Sequence, residues 1–98
     1  MKIKKETIAG TLESSDIQIT ITKKDLLENT IHLESPVKHL YEEDIKKVIM
    51  DTLEKHQITH TNIKAIDKGA LDCTIVARTQ SAIYRATENK KINWEAVD

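Results

Sequence analysis

Two runs of strict alternation meet at a polar corner, and that arrangement restricts the first quarter of the chain to one kind of structure. After the corner, Ile17, Ile19 and Ile21 alternate with Gln18, Thr20 and Thr22, which is the period of a half-buried strand. Before it, Ile8, Gly10 and Leu12 fall on one face of a similar run. Between the runs, Glu13-Ser14-Ser15-Asp16 supplies small residues that bond to their own backbone and close a hairpin. Strands are therefore expected over 5–12 and 16–23. The Ser14 hydroxyl would then stand near an exposed tip, flanked by Glu13 and Asp16. Taken alone, a serine there marks only a turn.

The remainder alternates between the two periodicities. Thr30 to Glu34 puts Ile31 and Leu33 on one side and His32 on the other, which predicts a third strand. Ser35-Pro36 is a helix-start signal, because serine can cap and proline fits the first helical position. Val37, Leu40, Tyr41, Ile45, Val48, Ile49 and Leu53 then recur at three- and four-residue steps, an amphipathic helix of about five turns. A fourth strand is expected at 62–67, where Ile63 and Ile66 break simple alternation. Asp67-Lys68-Gly69 reads as a turn. A second helix over 70–88 would face inward through Leu71, Ile75, Arg78 or Thr79, Ala82, Ile83 and Ala86. Its first half also alternates (Leu71, Cys73, Ile75, Ala77), and one helical period covering the whole stretch favours helix. Leu26-Leu27 could cover a sheet edge or begin an element. The tail over 90–98 holds Ile92, Trp94 and Val97. The order β-β-β-α-β-α predicts an α+β fold, a single domain over 1–98 in which one small mixed sheet carries both helices on one face. If strands three and four are parallel, their crossover should be right-handed.

Composition narrows the function classes. The 98 residues suffice for one modest core. Fifteen Lys and Arg against sixteen Asp and Glu leave a formal charge of −1, with no basic excess to attract nucleic acid or anionic membranes. The start, Met1-Lys2-Ile3-Lys4-Lys5-Glu6, has no apolar signal core, and no apolar run is long enough to span a bilayer. With Cys73 as the single cysteine, no intrachain disulfide can form, which agrees with a cytoplasmic location. A small buried thiol is the default reading for Cys73. The histidines (His32, His39, His56, His60) are read as exposed. The His56/His60 spacing occurs in zinc sites, but no HExxH or cysteine pair accompanies it. No metal is expected, no glycine-rich phosphate loop occurs, and no nucleophile has a partnered base. Nothing forms a self-sufficient catalytic constellation.

The run Ala9-Gly10-Thr11-Leu12-Glu13-Ser14-Ser15-Asp16, the block Asp67-Lys68-Gly69-Ala70-Leu71-Asp72-Cys73 and the tail pair Trp94-Glu95 resemble the acyl carrier (gamma) subunits of citrate lyase, over the whole chain. The resemblance implies that Ser14, the serine of G-T-L-E-S, carries a phosphoribosyl dephospho-coenzyme A group through a phosphodiester. Some members of that family have glycine where this chain has Ser15. The group's thiol would hold acetyl and then citryl as thioesters. An alpha subunit would exchange the acyl groups, a beta subunit would cleave citryl to oxaloacetate, and a prosthetic-group transferase would install the arm. The chain would then be a non-catalytic carrier. The Asp-Ser-Leu motif of helical-bundle carriers is missing, and the residues after Ser14 read as strand.

Beside that reading stand the carrier of a malonate decarboxylase-type complex and a small α+β protein-binding module. G-T-L-E-S and D-K-G-A-L-D favour the citrate enzyme. Glu13 and Asp16 could steer a partner's basic rim, or Asp16 could simply close the turn. Asp67 and Asp72 are expected to serve the turn or cap the second helix more than to touch the arm. Trp94 would anchor either its own domain or a partner.

Overall fold

The computed structural model describes residues 3–24, 28–35 and 38–87, with the backbone alone for 38–40. The expectations placed on Leu26-Leu27, Pro36, Val37, the side chains of His39 and Leu40, and the tail with Trp94 lie outside those residues. The elements follow in the expected order: β1 (Thr7–Ala9), β2 (Ile17–Lys23), β3 (Asn29–Glu34), α1 (Lys38–Lys55), β4 (Thr61–Asp67) and α2 (Asp72–Thr87). The sheet order is β1-β2-β4-β3. β2 lies antiparallel to both β1 and β4, whereas β3 runs parallel to β4. The fold is α+β with a mixed sheet.

Register explains the core. Ile17, Ile19 and Ile21 stand opposite Asp67, Ala65 and Ile63, while Ile31 and Leu33 stand opposite Ile63 and Ala65. One sheet face therefore collects the branched side chains, and they form one buried cluster with Ile45, Ile49 and Leu53 of α1 and Ile75, Ala82, Ile83 and Ala86 of α2. Both helices thus cover the same face. Each fully buried isoleucine contributes about 1.5–3 kcal/mol relative to an exposed one. Hydroxyls inside this apolar layer bond one helical turn back, as Thr79 Oγ1 does to Ile75 O at 2.7 Å and Thr87 Oγ1 to Ile83 O at 2.8 Å.

Several expected faces are corrected. β1 is only three residues long, and its buried residue is Ala9; Ile8 and Leu12 are half exposed. Gly10 adopts φ +90°, a backbone turn that takes 10–16 out of the sheet and ends the alternation. In β4 the inward residues are Thr61, Ile63, Ala65 and Asp67, so Ile66 belongs to the opposite face. Two buried polar residues had concealed the phase. Tyr41 and Leu71, expected to face inward, are exposed, Leu71 as the residue just before α2. Cys73 is exposed too, because it sits two residues, about 200°, around the helix from Ile75.

His56 is buried, against the expectation of four exposed histidines. The cause is the way α1 stops. Gln57 has φ +57°. Its N–H bonds Glu54 O at 3.0 Å, and Ile58 N–H bonds Leu53 O at 3.0 Å. This is a Schellman ending, and its outer residues, Leu53 and Ile58, are both buried in the core. It folds His56 edge-on against Tyr84, with ring centroids 5.3 Å apart and planes at 85°. Burial, followed by the nearby Lys55 charge, pushes the imidazole below its usual pKa.

Candidate functional site

The residues singled out around Ser14 form a loop between β1 and β2, clamped at its base and free at its tip. Gly10 begins it. A Cβ at Gly10 would lie 1.8 Å from Ile17 O, so the outgoing and returning chains pass in contact where only glycine fits. Glu13-Ser14-Ser15-Asp16 then reverses direction, with Asp16 N–H donating to Glu13 O at 3.2 Å. Ser15 has φ +66°, and Ser14 is not among the described positive-φ residues. A negative φ followed by a positive one is the signature of a type II turn. Ser14 occupies the outer corner and Ser15 the position that favours glycine. For a serine, the left-handed conformation costs about 1–2 kcal/mol.

Both serines are exposed. Among the described residues, no hydrogen bond engages either hydroxyl. The backbone beside them is held: Ser15 N–H bonds Lys68 O at 2.8 Å, and Lys68 N–H bonds Asp16 O at 2.9 Å. These bonds carry the β2–β4 pairing beyond Ile17 and Asp67 and join the loop to the turn after β4. The two sequence blocks, residues 9–16 and 67–73, are therefore neighbours in space.

Asp16 holds the loop together. Its Oδ2 accepts from Thr11 N at 3.1 Å, Thr11 Oγ1 at 2.7 Å and Arg78 Nη2 at 2.9 Å. Its Oδ1 accepts from Ile17 N at 2.8 Å and Arg78 Nε at 3.0 Å. Arg78 thus grips both oxygens in the forked geometry that makes arginine–carboxylate pairs strong. This bond, then those from Thr11 and Ile17, hold the Asp16 carboxyl well below the usual carboxylate range. With 9% of the residue exposed and all these bonds internal, Asp16 closes the turn. Of the two acids considered for partner steering, Glu13 alone is exposed. The sequence placed Arg78 or Thr79 on the inner stripe of α2 and assigned Arg78 no task. A cation on a stripe otherwise facing a core was the available signal for a buried acid partner.

The second block is built by Asp67, which is buried. Its Oδ1 accepts from Gly69 N at 3.2 Å and Ala70 N at 3.0 Å, and Oδ2 accepts from Ser35 Oγ at 2.9 Å. Asp67 shapes the turn, while α2 starts on Leu71 O, which accepts from Thr74 N at 2.9 Å and Ile75 N at 3.0 Å. Asp72 is exposed in the first turn of α2. Beyond Gly69 lies a groove of about 690 Å³ between α1 and this turn, lined by Tyr41, Ile45, Val48, Leu71 and the acids Asp44, Asp51 and Asp72, among others. Among the described residues no cluster of His, Cys, Asp or Glu is placed to hold a metal ion. Buried His56 and exposed His60 share no face. No helix among them is long and apolar enough to cross a membrane.

The chain is similar to known proteins over nearly its whole length. A family profile described as "Malonate decarboxylase delta subunit (MdcD)" matches residues 4–86. A citrate lyase acyl carrier protein of Oenococcus oeni is 52% identical over 99 residues, covering 99% of this chain and all of its own. Another, of Lactobacillus acidophilus, is 56% identical over 91 residues, 92% of each chain. Among solved structures, a homoserine kinase from Cytophaga hutchinsonii superposes with a TM-score of 0.61 over 96% of this chain and 38% of that longer one, at 15% identity. At that identity the likeness is one of fold.

Proposed function

From the premise that this chain belongs to the family of citrate lyase acyl carrier proteins, we propose that it is the carrier subunit of a citrate lyase and that Ser14 is its covalent attachment point. The observation that carries this reading is a serine hydroxyl, exposed and unbonded among the described residues, at the corner of a turn whose base is fixed from three sides. A carrier needs that combination, because a rigid base sets where an arm begins while the arm samples several sites. The residues fit a phosphodiester: Asp16 is already neutralised by Arg78, so an added phosphate meets less negative charge.

The group would be phosphoribosyl dephospho-coenzyme A, whose terminal thiol supplies the thioester chemistry that the side chains of this protein lack. Ser14 contributes the nucleophile for its installation. Its Oγ–P bond forms as the P–O bond to a phosphate leaving group of an anhydride-activated donor breaks, and the hydroxyl proton passes to a base of the transferase. The chain itself catalyses nothing in this scheme. Its partners are that transferase and the alpha and beta subunits, in the cytoplasm, and the carrier domain spans 1–98. Exposed Glu13 is the acidic residue beside Ser14 available to meet them.

Intact mass of the full chain, produced with the modifying enzymes present, tests this. The mass should exceed the sequence mass by one such group, and Ser14→Ala should abolish the increment. An increment that survives Ser14→Ala refutes the assignment. The family profile's description favours one second reading, the carrier of a malonate decarboxylase-type complex. That reading shares the attachment and differs in the subunits that co-purify.

A further inference from the structure

Two adjacent serines compete for one modification, and exposure does not separate them, since both are exposed and neither hydroxyl is bonded among the described residues. The backbone does separate them. Ser14 sits at the outer corner with its main chain unpaired among the described residues. Ser15 is left-handed at φ +66°, and its N–H is committed to Lys68 O. Successive residues of such a turn send their side chains in different directions, so a transferase approaching the corner meets one hydroxyl. What keeps Ser15 in this unfavoured conformation is the closure of the turn at Asp16. Two ties reach Asp16 from outside the loop: Lys68 N–H on its main-chain oxygen, and, on its side chain, the forked pair with Arg78, 62 residues away in sequence.

We propose that Arg78 is a positioning residue for the attachment: acting through Asp16, it holds the turn in the form that offers Ser14 and withholds Ser15. This rests on Ser14 being the acceptor. Without the fork, Asp16 keeps its Thr11 and Ile17 bonds but loses its two charge-assisted ones. Ser15 then keeps its N–H bond to Lys68 O but loses the side-chain clamp on the turn, so negative φ becomes accessible to it and the two serines become more alike. Lysine restores the charge without the fork. Glycine at 15 adopts the left-handed form without help.

The test is in vitro modification of the full-length chain by the transferase with its activated donor, read as initial rate and as site occupancy by peptide mass spectrometry. Wild type should be labelled on Ser14 alone. Arg78→Met should be labelled about tenfold more slowly, the factor by which the left-handed conformation is disfavoured, with a measurable share on Ser15. Arg78→Lys should fall between the two. Ser15→Gly in the Arg78→Met background should recover most of the rate, a rescue that general destabilisation would not produce. Arg85→Met is the control, because Arg85 bonds Ile8 O of β1 at 2.8 Å and not the loop. NMR coupling constants at Ser15 should report the loss of positive φ in Arg78→Met independently of the enzyme. Labelling of Arg78→Met on Ser14 alone, at the wild-type rate, overturns the proposal and leaves the carrier reading intact. Wild type that accepts no group overturns both.

Discussion

Replacing Gly10 by alanine puts a methyl group where a carbonyl oxygen already stands. The new Cβ would lie 1.8 Å from Ile17 O and 3.0 Å from Ile17 C, against about 3.5–4.0 Å for an unstrained contact. Arg78 Cδ, at 3.3 Å, could move aside, but the Ile17 carbonyl is main chain at the start of β2. Two costs add. Alanine at φ +90° is disfavoured by about 1–2 kcal/mol, and parting two packed segments costs about 1–3 kcal/mol. The sum, about 2–5 kcal/mol, takes a large share of the 5–15 kcal/mol typical of a domain. At about 4–8 °C per kcal/mol for a domain of this size, Tm should fall by at least about 8 °C. Gly69 supplies the control, with φ +94° and nothing within 4 Å of its missing Cβ. Gly69→Ala meets only the conformational cost, partly offset by the stiffer unfolded chain, for a net of about 1 kcal/mol. Circular-dichroism melts of both variants and wild type at one pH decide the matter. Equal losses at the two glycines would show that the close passage of chains at Gly10 is not what demands glycine.

Two other outcomes follow from buried and exposed groups. His56 has a lowered pKa in the fold, so the unfolded state binds its proton first. Stability should be full above the unfolded value of about 6.5 and fall as pH drops through and below it. Melts between pH 7.5 and 5 should show this slope, and His56→Phe should flatten it; an unchanged slope refutes the assignment. Cys73 is exposed on α2 and should react with a chromogenic disulfide reagent in the native protein as fast as in urea. Protection by tenfold or more without denaturant would place it inside.

Strand and helix identities were legible because branched residues recur at the right period: Ile17, Ile19 and Ile21 in β2, and Ile45, Ile49 and Leu53 in α1 are all buried. What was not legible depended on contacts distant in sequence. The alternation of Ile8, Gly10 and Leu12 continues on paper beyond the point where Gly10 leaves the sheet. The phase of β4 was obscured because Thr61 and Asp67, polar and buried, satisfy themselves on Asn29, Ser35 and the Gly69 turn. His56 read as surface because its burial depends on Gln57 taking a conformation usually given to glycine. The hairpin and the position of Ser14 at its tip were readable from residues 8–22. The clamp on that tip was not, because Asp16 and Arg78 meet only after the sheet and α2 have assembled.

That last dependence bears on biosynthesis. The serine is made early, but the guanidinium that shapes its surroundings leaves the ribosome 64 residues later, since 78 − 14 = 64. With Ser14 as the proposed attachment point, a nascent or truncated chain ending before α2 contains that serine yet lacks the Arg78 clamp on its loop. On the proposed carrier reading, a transferase that reads the shape of the loop would act on the folded protein in preference to fragments.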